Sequence, residues 1–193
     1  MELVIASNNQ NKIKEIKAIL GKYFSNITTL NDKNIHQEIP ETGTTFLENA
    51  LIKARTVNSL TGCAALGDDS GLVVHALDGT PGVYSARYSG TGDDFKNNEK
   101  LIENLKGIEN RKAKFVSVIT LAKPNGETFS FEGEILGEIV DNPRGNTGFG
   151  YDPHFYVEEY QKTLAELPEL KNKISHRAKA LEKLKRELKN ILY

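Results

Sequence analysis

The chain has 193 residues, the usual size of one compact domain or of two closely packed lobes. Its 38% hydrophobic and 26% charged residues exclude a disordered or collagen-like protein. The 25 Lys and Arg nearly cancel the 26 Asp and Glu, and the net charge of -1 argues against bulk attraction to nucleic acid or to an anionic membrane.

The compartment signals favour the cytoplasm. The single cysteine, Cys63, cannot form an intramolecular disulfide, which fits a reducing environment. The first residues become polar at Asn8 and Asn9, too early for a signal peptide, and no apolar run approaches the ~18 residues of a membrane span. We therefore expect a cytoplasmic protein with no membrane and no nucleic-acid partner.

A strand, a polar loop and a helix open the chain. Residues 2–6 contain three consecutive apolar side chains, typical of a strand buried on both faces. From Lys12 onward the apolar spacing becomes helical, with Gly21 near the predicted end. Thr45 and Glu48 then form the pattern of a capping box, which predicts a second helix.

The middle of the chain alternates short apolar runs with turn signals. Runs at 63–66 and 72–77 predict two strands on either side of an acidic turn, and a weak helical period over 95–105 predicts a third helix. Residues 115–121 and 128–131 flank the turn sequence Pro124-Asn125-Gly126. This pattern predicts a hairpin.

A glycine-rich loop and a long helix end the chain. Residues 141–153 hold three glycines and two prolines, which predicts a long loop whose backbone closely approaches another group. Apolar residues recur at helical spacing from Ile174 to Ile191 and predict the last helix, which is basic on its polar side. Most lysines of this helix are typical of an ordinary solvent-exposed helix face.

The acidic segment Asp68-Asp69-Ser70-Gly71 is a candidate metal site. Hard cations such as Mg²⁺ take one or two carboxylates, waters and substrate phosphates, so two acids between apolar runs are sufficient. An ordinary acidic turn explains the same residues, because Asp and Gly are common in turns for backbone reasons.

Three further segments are candidates for nucleotide contacts. The polar residues 7–12 lie between a strand and a helix, where unpaired N–H groups attract phosphate, although a plain polar cap fits equally well. Phe149-Gly150-Tyr151-Asp152 could stack on a nucleobase and hydrogen-bond its edge, or place its rings in the core. Ser175-His176-Arg177 puts basic residues in a first helical turn, where the dipole disfavours them, which suggests a site-facing role.

Six segments in chain order form one pattern: Ser7-x-Asn9-x-x-Lys12 with Glu15; Thr45-Phe46-x-Glu48-Asn49-Ala50 with Lys53-Ala54-Arg55; Asp68-Asp69-Ser70-Gly71-Leu72; Pro81-Gly82-x-Tyr84-Ser85-Ala86-Arg87-Tyr88; Gly148-Phe149-Gly150-Tyr151-Asp152-Pro153; and Ser175-His176-Arg177. The pattern covers most of the chain and resembles the inosine triphosphate pyrophosphatase family.

The resemblance implies an α/β fold, with two lobes around a long mixed sheet and a nucleotide-binding cleft between them. Residues 1–193 would form this single two-lobed domain, usually as a homodimer. The implied enzyme is Mg²⁺-dependent and hydrolyses non-standard purine nucleoside triphosphates (ITP, dITP and XTP) to the monophosphate and pyrophosphate.

The resemblance also implies residue roles. The phosphate contacts would be Ser7, Asn8, Asn9, Gln10, Asn11, Lys12 and Lys171, with Ser70 a further substrate contact. The base would be held by Phe149, Gly150, Tyr151, Asp152, His176 and Arg177. Asp69 would be the metal ligand or water-activating base, and Lys53 and Asp68 would assist the chemistry. Some family members carry an acidic metal ligand where this chain has Pro40, so Glu41 and Glu38 are the nearby candidates, and we assign Glu41.

Base selectivity has a physical basis. Arg177 can donate hydrogen bonds to the 6-oxo group of hypoxanthine or xanthine, whereas the amino group of adenine would present a donor to a donor. Two alternatives stay open: a pyrophosphatase for modified pyrimidine or other aberrant triphosphates, and a non-catalytic nucleotide-binding module that uses the basic last helix.

Overall fold

The computed structural model describes residues 1–192, which contain seven strands and five α-helices. The strands are β1 (Glu2–Ile5), β2 (Asn26–Thr29), β3 (Ala64–Val74), β4 (Lys112–Ala122), β5 (Thr128–Ile139), β6 (Phe155–Val157) and β7 (Lys162–Thr163). The helices are α1 (Gln10–Leu20), α2 (Phe46–Thr61), α3 (Asp94–Asn104), α4 (Pro168–Ile174) and α5 (His176–Leu192). No helix among residues 1–192 is long and apolar enough to cross a membrane.

The strands form one mixed sheet in the order β2-β1-β3-β4-β5-β6-β7. β1 runs parallel to both β2 and β3, whereas β6 runs antiparallel to β5 and β7. The expectation of an α/β fold with a long mixed sheet is therefore confirmed.

The chain divides into two compact units. The first contains Met1–Asp69, Ser117–Gly133 and the residues from His176 onward. Its strands alternate in the usual way, so that Leu3 and Ile5 of β1 pack with α1 and α5, while Val4 packs with α2 on the opposite face. Two apolar layers result, one on each side of the same strands.

The second unit contains Ser70–Val116 and Glu134–Ser175. Its core joins apolar residues of β3, α3, β4, β5 and β6, among them Leu72, Leu101 and Phe155. The rings of Phe115 and Phe155 lie 4.6 Å apart between centroids. This unit therefore has an apolar core of its own.

The structure corrects the expected acidic turn. Residues 63–77 do not form two strands around Asp68-Asp69-Ser70-Gly71, because β3 runs without a break from Ala64 to Val74. Both aspartates are buried inside this strand. A pair of acidic residues usually indicates a turn rather than a buried strand, but here basic side chains from neighbouring helices form ion pairs with both aspartates.

The other predicted elements are present. The capping box of Thr45 and Glu48 begins α2, and the predicted hairpin is formed by longer strands, β4 and β5. The last helix is interrupted where it was expected to be continuous: α4 ends at Ile174, and α5 begins at His176. The extended backbone of Ser175, with ψ of 159°, separates the two.

Candidate active site

The two adjacent aspartates of β3 point to opposite faces of the sheet. Successive side chains in a strand alternate, so Asp68 shares a face with Leu66, which packs with α1 and α5. Asp69 shares the other face with Ala65, which packs against α2. Each carboxylate therefore meets a different set of helical residues.

Asp68 lies in a buried ionic network. Lys12 Nζ donates to Asp68 Oδ1 over 3.0 Å, and Arg177 Nε donates to Oδ2 over 2.5 Å. Arg177 also pairs through Nη1 with Glu15 Oε2, at 2.5 Å. The two basic and two acidic side chains sum to zero charge, and Arg177 is only 1% exposed.

The electrostatics keep Asp68 ionised. Burial alone would raise the pKa of Asp68, but the charges of Arg177 and Lys12 outweigh burial and hold that pKa well below its usual range. Burial lowers the pKa of Lys12, against the charge of Asp68. We call these four side chains, Lys12, Glu15, Asp68 and Arg177, the Asp68 network.

Asp69 lies in a more open arrangement centred on Lys53. Lys53 Nζ lies 3.2 Å from Asp69 Oδ1 and 3.0 Å from Glu41 Oε1, and it donates to the main-chain oxygen of Asp68 over 2.9 Å. Asn49 Nδ2 donates to Asp69 Oδ2 over 3.2 Å. We call Glu41, Lys53 and Asp69 the Asp69 centre; its two carboxylates and one ammonium leave one excess negative charge.

The pKa values of Asp69 and Lys53 are both raised. Burial raises the pKa of Asp69, and the neighbouring Glu41 raises it further, while Lys53 and Lys12 act in the opposite direction without cancelling the rise. Burial would lower the pKa of Lys53, but the charges of Asp69 and Glu41 prevail and raise it. Asp69 is therefore a better proton acceptor than an ordinary exposed carboxylate.

The donor set of the Asp69 centre fits Mg²⁺. Glu41 and Asp69 already share one cation, the Lys53 ammonium, so their oxygens converge on a positive charge. Among residues 1–192 there is no group of three or more His, Cys, Asp or Glu side chains suited to a metal. Two carboxylates are nevertheless enough for Mg²⁺, which keeps several waters and takes other ligands from substrate phosphates.

Two glycines let helices approach the strands that carry the site. A Cβ on Gly67 would lie 2.1 Å from the main-chain oxygen of Ala50 in α2, and one on Gly133 would lie 2.2 Å from the main-chain oxygen of His176 in α5. Only glycine permits such contacts. Gly67 thus brings α2, with Lys53, onto β3, and Gly133 brings the first turn of α5, with Arg177, onto β5.

The predicted phosphate loop is capped by its own side chains. Asn9 is the N-cap of α1, and its Oδ1 accepts from the N–H groups of Asn11 and Lys12 at 3.0 and 3.1 Å. Ser7 Oγ accepts from Asn9 N–H over 3.1 Å. Asn8 and Gln10 are exposed. Phosphate binding here stays a prediction, and it would depend more on side chains than on the capped main-chain groups.

The predicted base-binding segment forms a cluster in the second unit. Lys171 Nζ donates to Asp152 Oδ2 over 2.6 Å and lies 4.3 Å from the centroid of the Phe149 ring. Gly150 N–H donates to Asp94 Oδ2 over 2.8 Å. Lys171, predicted to contact phosphate, thus lies against the predicted stacking ring.

Tyr151 belongs to the core of the second unit. Its hydroxyl donates to the main-chain oxygen of Ser85 over 2.6 Å, and the side chain is buried with the apolar cluster. Phe149 is only half-buried and is the better candidate for stacking. Of the remaining predicted residues, Ser70 is half-buried in β3, and His176 is buried at the start of α5.

Sequence reasoning gave no role to two residues that the structure places among the site groups. Glu15 pairs with Arg177, and Asn49 holds Asp69. The signal was helical spacing, because Glu15 follows Lys12 by three residues and Asn49 precedes Lys53 by four. Side chains at such spacings share a helix face.

Comparisons with known proteins agree on one family. The model of the Ham1 family matches residues 3–187. A dITP/XTP pyrophosphatase of Listeria monocytogenes serotype 4b (strain F2365) is 47% identical, over 99% of this chain and 96% of the relative. The dITP/XTP pyrophosphatase of Geobacter sulfurreducens is 50% identical, over 96% of each chain. The solved structure of the Staphylococcus aureus Ham1 protein has a TM-score of 0.90 at 43% identity, covering 99% of this chain and 100% of that one.

Proposed function

The chain belongs to the Ham1 family, and from that premise we propose that it hydrolyses dITP, ITP and XTP to the monophosphate and pyrophosphate. The resemblance seen in the sequence is thereby confirmed. The observation that carries the chemistry is the Asp69 centre, where two carboxylates share one ammonium and retain a negative charge. That arrangement suits a divalent cation, which in turn would attract a phosphate-bearing substrate.

In the proposed reaction, water attacks the α-phosphorus, and the bond between that phosphorus and the α–β bridging oxygen breaks, so pyrophosphate leaves. Glu41 and Asp69 would hold Mg²⁺, which when bound neutralises charge on the phosphate oxygens. Asp69, whose carboxylate Lys53 and Asn49 hold in place, would accept the proton of the attacking water. Lys53 holds both carboxylates in place and adds positive charge beside the phosphates.

Arg177 is the proposed reader of the 6-oxo group of the base. Its ion pairs with Asp68 and Glu15 fix the orientation of the buried guanidinium. Adenine offers an amino group at that position and would leave a buried donor facing a donor, which disfavours ATP. Stacking on Phe149 would add affinity without distinguishing one base from another.

The finer properties of the enzyme are part of this proposal. We propose Mg²⁺ as the cation because the donors are all oxygens and few in number. We propose a homodimer from the family resemblance. We propose a cytoplasmic location because the lone Cys63 fits a reducing environment.

Product analysis tests the function directly. The purified protein is incubated with Mg²⁺ and equal concentrations of dITP, XTP, ATP and GTP, and the phosphate products are resolved. We expect monophosphate and pyrophosphate, formed fast from dITP and XTP, slowly from ATP and GTP, and not at all after EDTA. Diphosphate and orthophosphate would refute the chemistry, faster turnover of a modified pyrimidine triphosphate would refute the substrate class, and binding without turnover would favour a nucleotide-binding module.

A further inference from the structure

One buried amide joins the two carboxylate-bearing segments of the Asp69 centre. Asn49, in the first turns of α2, is fully buried. Its Oδ1 accepts from Gly43 N–H over 2.8 Å, and its Nδ2 donates to Asp69 Oδ2 over 3.2 Å. Gly43 lies two residues after Glu41, so the amide connects the segment of one carboxylate to the side chain of the other.

The orientation of this amide is fixed by its partners. The main-chain group of Gly43 offers only a donor at this contact, and the Asp69 carboxylate only an acceptor. Turning the amide over would place a donor against a donor and an oxygen against an oxygen. The contact with Asp69 is buried and the contact with Gly43 is partly buried, and mismatched polar groups are costly away from water.

Two glycines allow close packing around the buried side chain of Asn49. A Cβ on Gly43 would lie 2.7 Å from Asn49 Oδ1 and 2.6 Å from the Cβ of Glu48. On the other side, Gly67 lets α2 contact β3 next to the aspartates. Glycines at both positions therefore hold the loop, the helix and the strand close enough for one amide to span them.

Asn49 also leaves the other Asp69 oxygen to Lys53. Oδ2 is taken by the amide, whereas Oδ1 faces the ammonium that Glu41 shares. The carboxylate plane is thus fixed, with Oδ1 directed to the point where the second carboxylate converges. A cation that replaced or joined the ammonium would find both oxygens already in place.

From this geometry we infer that Asn49 is a positioning residue that sets the affinity of the Asp69 centre for its divalent cation. The inference rests on the proposed function only in taking Glu41 and Asp69 as cation ligands. The Asn49 amide contacts Gly43 and Asp69, and in this proposal it is not itself a cation ligand. It acts by aligning Asp69 and by fixing the segment that carries Glu41.

The test is binding of Mn²⁺ alone, followed by electron paramagnetic resonance of the free ion, without nucleotide. Asn49→Leu removes both hydrogen bonds at similar side-chain volume. We expect it to weaken Mn²⁺ binding about 10- to 100-fold, the range for residues that orient metal ligands. Gly43→Ala, which keeps the amide and every ligand but forces the loop away, should weaken binding in the same direction.

Asn58→Leu is the matched control. Asn58 lies nine residues further along α2, roughly 14 Å at 1.5 Å per residue, and its Nδ2 also bridges two main-chain oxygens, of Cys63 and Lys123, at 2.8 and 2.9 Å. Its variant should lose stability without changing Mn²⁺ affinity. Urea unfolding of all variants separates cation binding from folding.

Wild-type Mn²⁺ affinity in both Asn49→Leu and Gly43→Ala would overturn the inference, as would an equal loss in Asn58→Leu or no Mn²⁺ binding by the wild type. Turnover of dITP by the wild type is measured separately. If dITP is hydrolysed and both variants bind Mn²⁺ normally, only the inference fails. If Mn²⁺ affinity falls as expected but no nucleotide is hydrolysed, only the proposed function fails.

Discussion

Asp68 and Asp69 are neighbours in one strand, yet their surroundings differ in kind. Asp68 is held by Lys12 and Arg177, with Glu15 balancing the charge, and its pKa is lowered. Asp69 shares Lys53 with another carboxylate, and its pKa is raised. The difference follows from strand alternation alone, which turns one aspartate toward α1 and α5 and the other toward α2.

The two sides also differ in what they can still bind. The Asp68 network is neutral, so adding a cation there would disturb a balanced set of buried charges. The Asp69 centre keeps a negative charge and two carboxylates directed at one point. We therefore propose that the Asp69 centre carries out the chemistry and that the Asp68 carboxylate positions Lys12 and Arg177.

The largest expected effect is on turnover in Asp69→Asn. The variant loses the proposed proton acceptor, which is also a proposed metal ligand, so kcat for dITP should fall by about 10²- to 10⁴-fold, the usual range for a general base. Its unfolding free energy should change little, because burial already disfavours the ionised Asp69 carboxylate. Steady-state assays measure kcat, and urea unfolding measures the free energy of unfolding. A near-normal kcat in Asp69→Asn would contradict the distinction between the two aspartates.

Asp68→Asn should affect stability most. Removing this carboxylate leaves two buried cations, Lys12 and Arg177, without their shared partner. Loss of one member of a buried ion pair costs about 3–5 kcal/mol. Urea denaturation at neutral pH measures the loss, and a variant as stable as Asp69→Asn would show that the two aspartates are not distinguished in this way.

Gly67→Ala and Gly133→Ala should distinguish the Asp69 centre from the Asp68 network through their effects on helix packing. Each adds a methyl group where the main chain of a helix lies too close, and overpacking of this kind costs about 1–3 kcal/mol. Gly67→Ala displaces α2 and should also weaken Mn²⁺ binding, whereas Gly133→Ala displaces α5 and should leave Mn²⁺ binding nearly unchanged. Equal effects on Mn²⁺ binding would contradict the separation.

Some elements of the fold could be predicted from the sequence, and others could not. The capping box at Thr45 and Glu48, the β4–β5 hairpin and the glycine-rich loop were all predicted, because each depends on local turn or cap chemistry. The prediction of an acidic turn was wrong, because only the tertiary contacts of Asp68 and Asp69 show that a strand can bury these carboxylates.

The site residues follow the same division. Asp69, Lys53 and Glu41 were all candidates, and the structure brings them to one point. The sequence alone did not separate these three residues from the Asp68 network. That separation depends on β3 being one continuous strand. With that strand known, alternation and the helical spacing of Asn49 and Lys53 would have predicted the two sets.

The smallest effect concerns the capping box. Hydrogen bonds from the N–H and hydroxyl groups of Thr44 and from the N–H of Thr45 lower the pKa of Glu48 below its ordinary 4.5. Its contribution to stability is therefore complete above that ordinary value and is lost as the pH falls through the lowered one. Glu48→Gln should lower Tm slightly at pH 7, with the difference from wild type vanishing in acid; a difference that persists in acid would contradict this origin.

The central claim, that the Asp69 side and not the Asp68 side holds the cation, is tested most directly by a crystal structure with Mn²⁺ and a non-hydrolysable dITP analogue. Anomalous scattering locates the ion without reference to the protein. We predict a peak within coordination distance of the Asp69 and Glu41 carboxylates, with Asp68 still paired to Lys12 and Arg177. A peak coordinated by Asp68, or none at Asp69, would contradict the account.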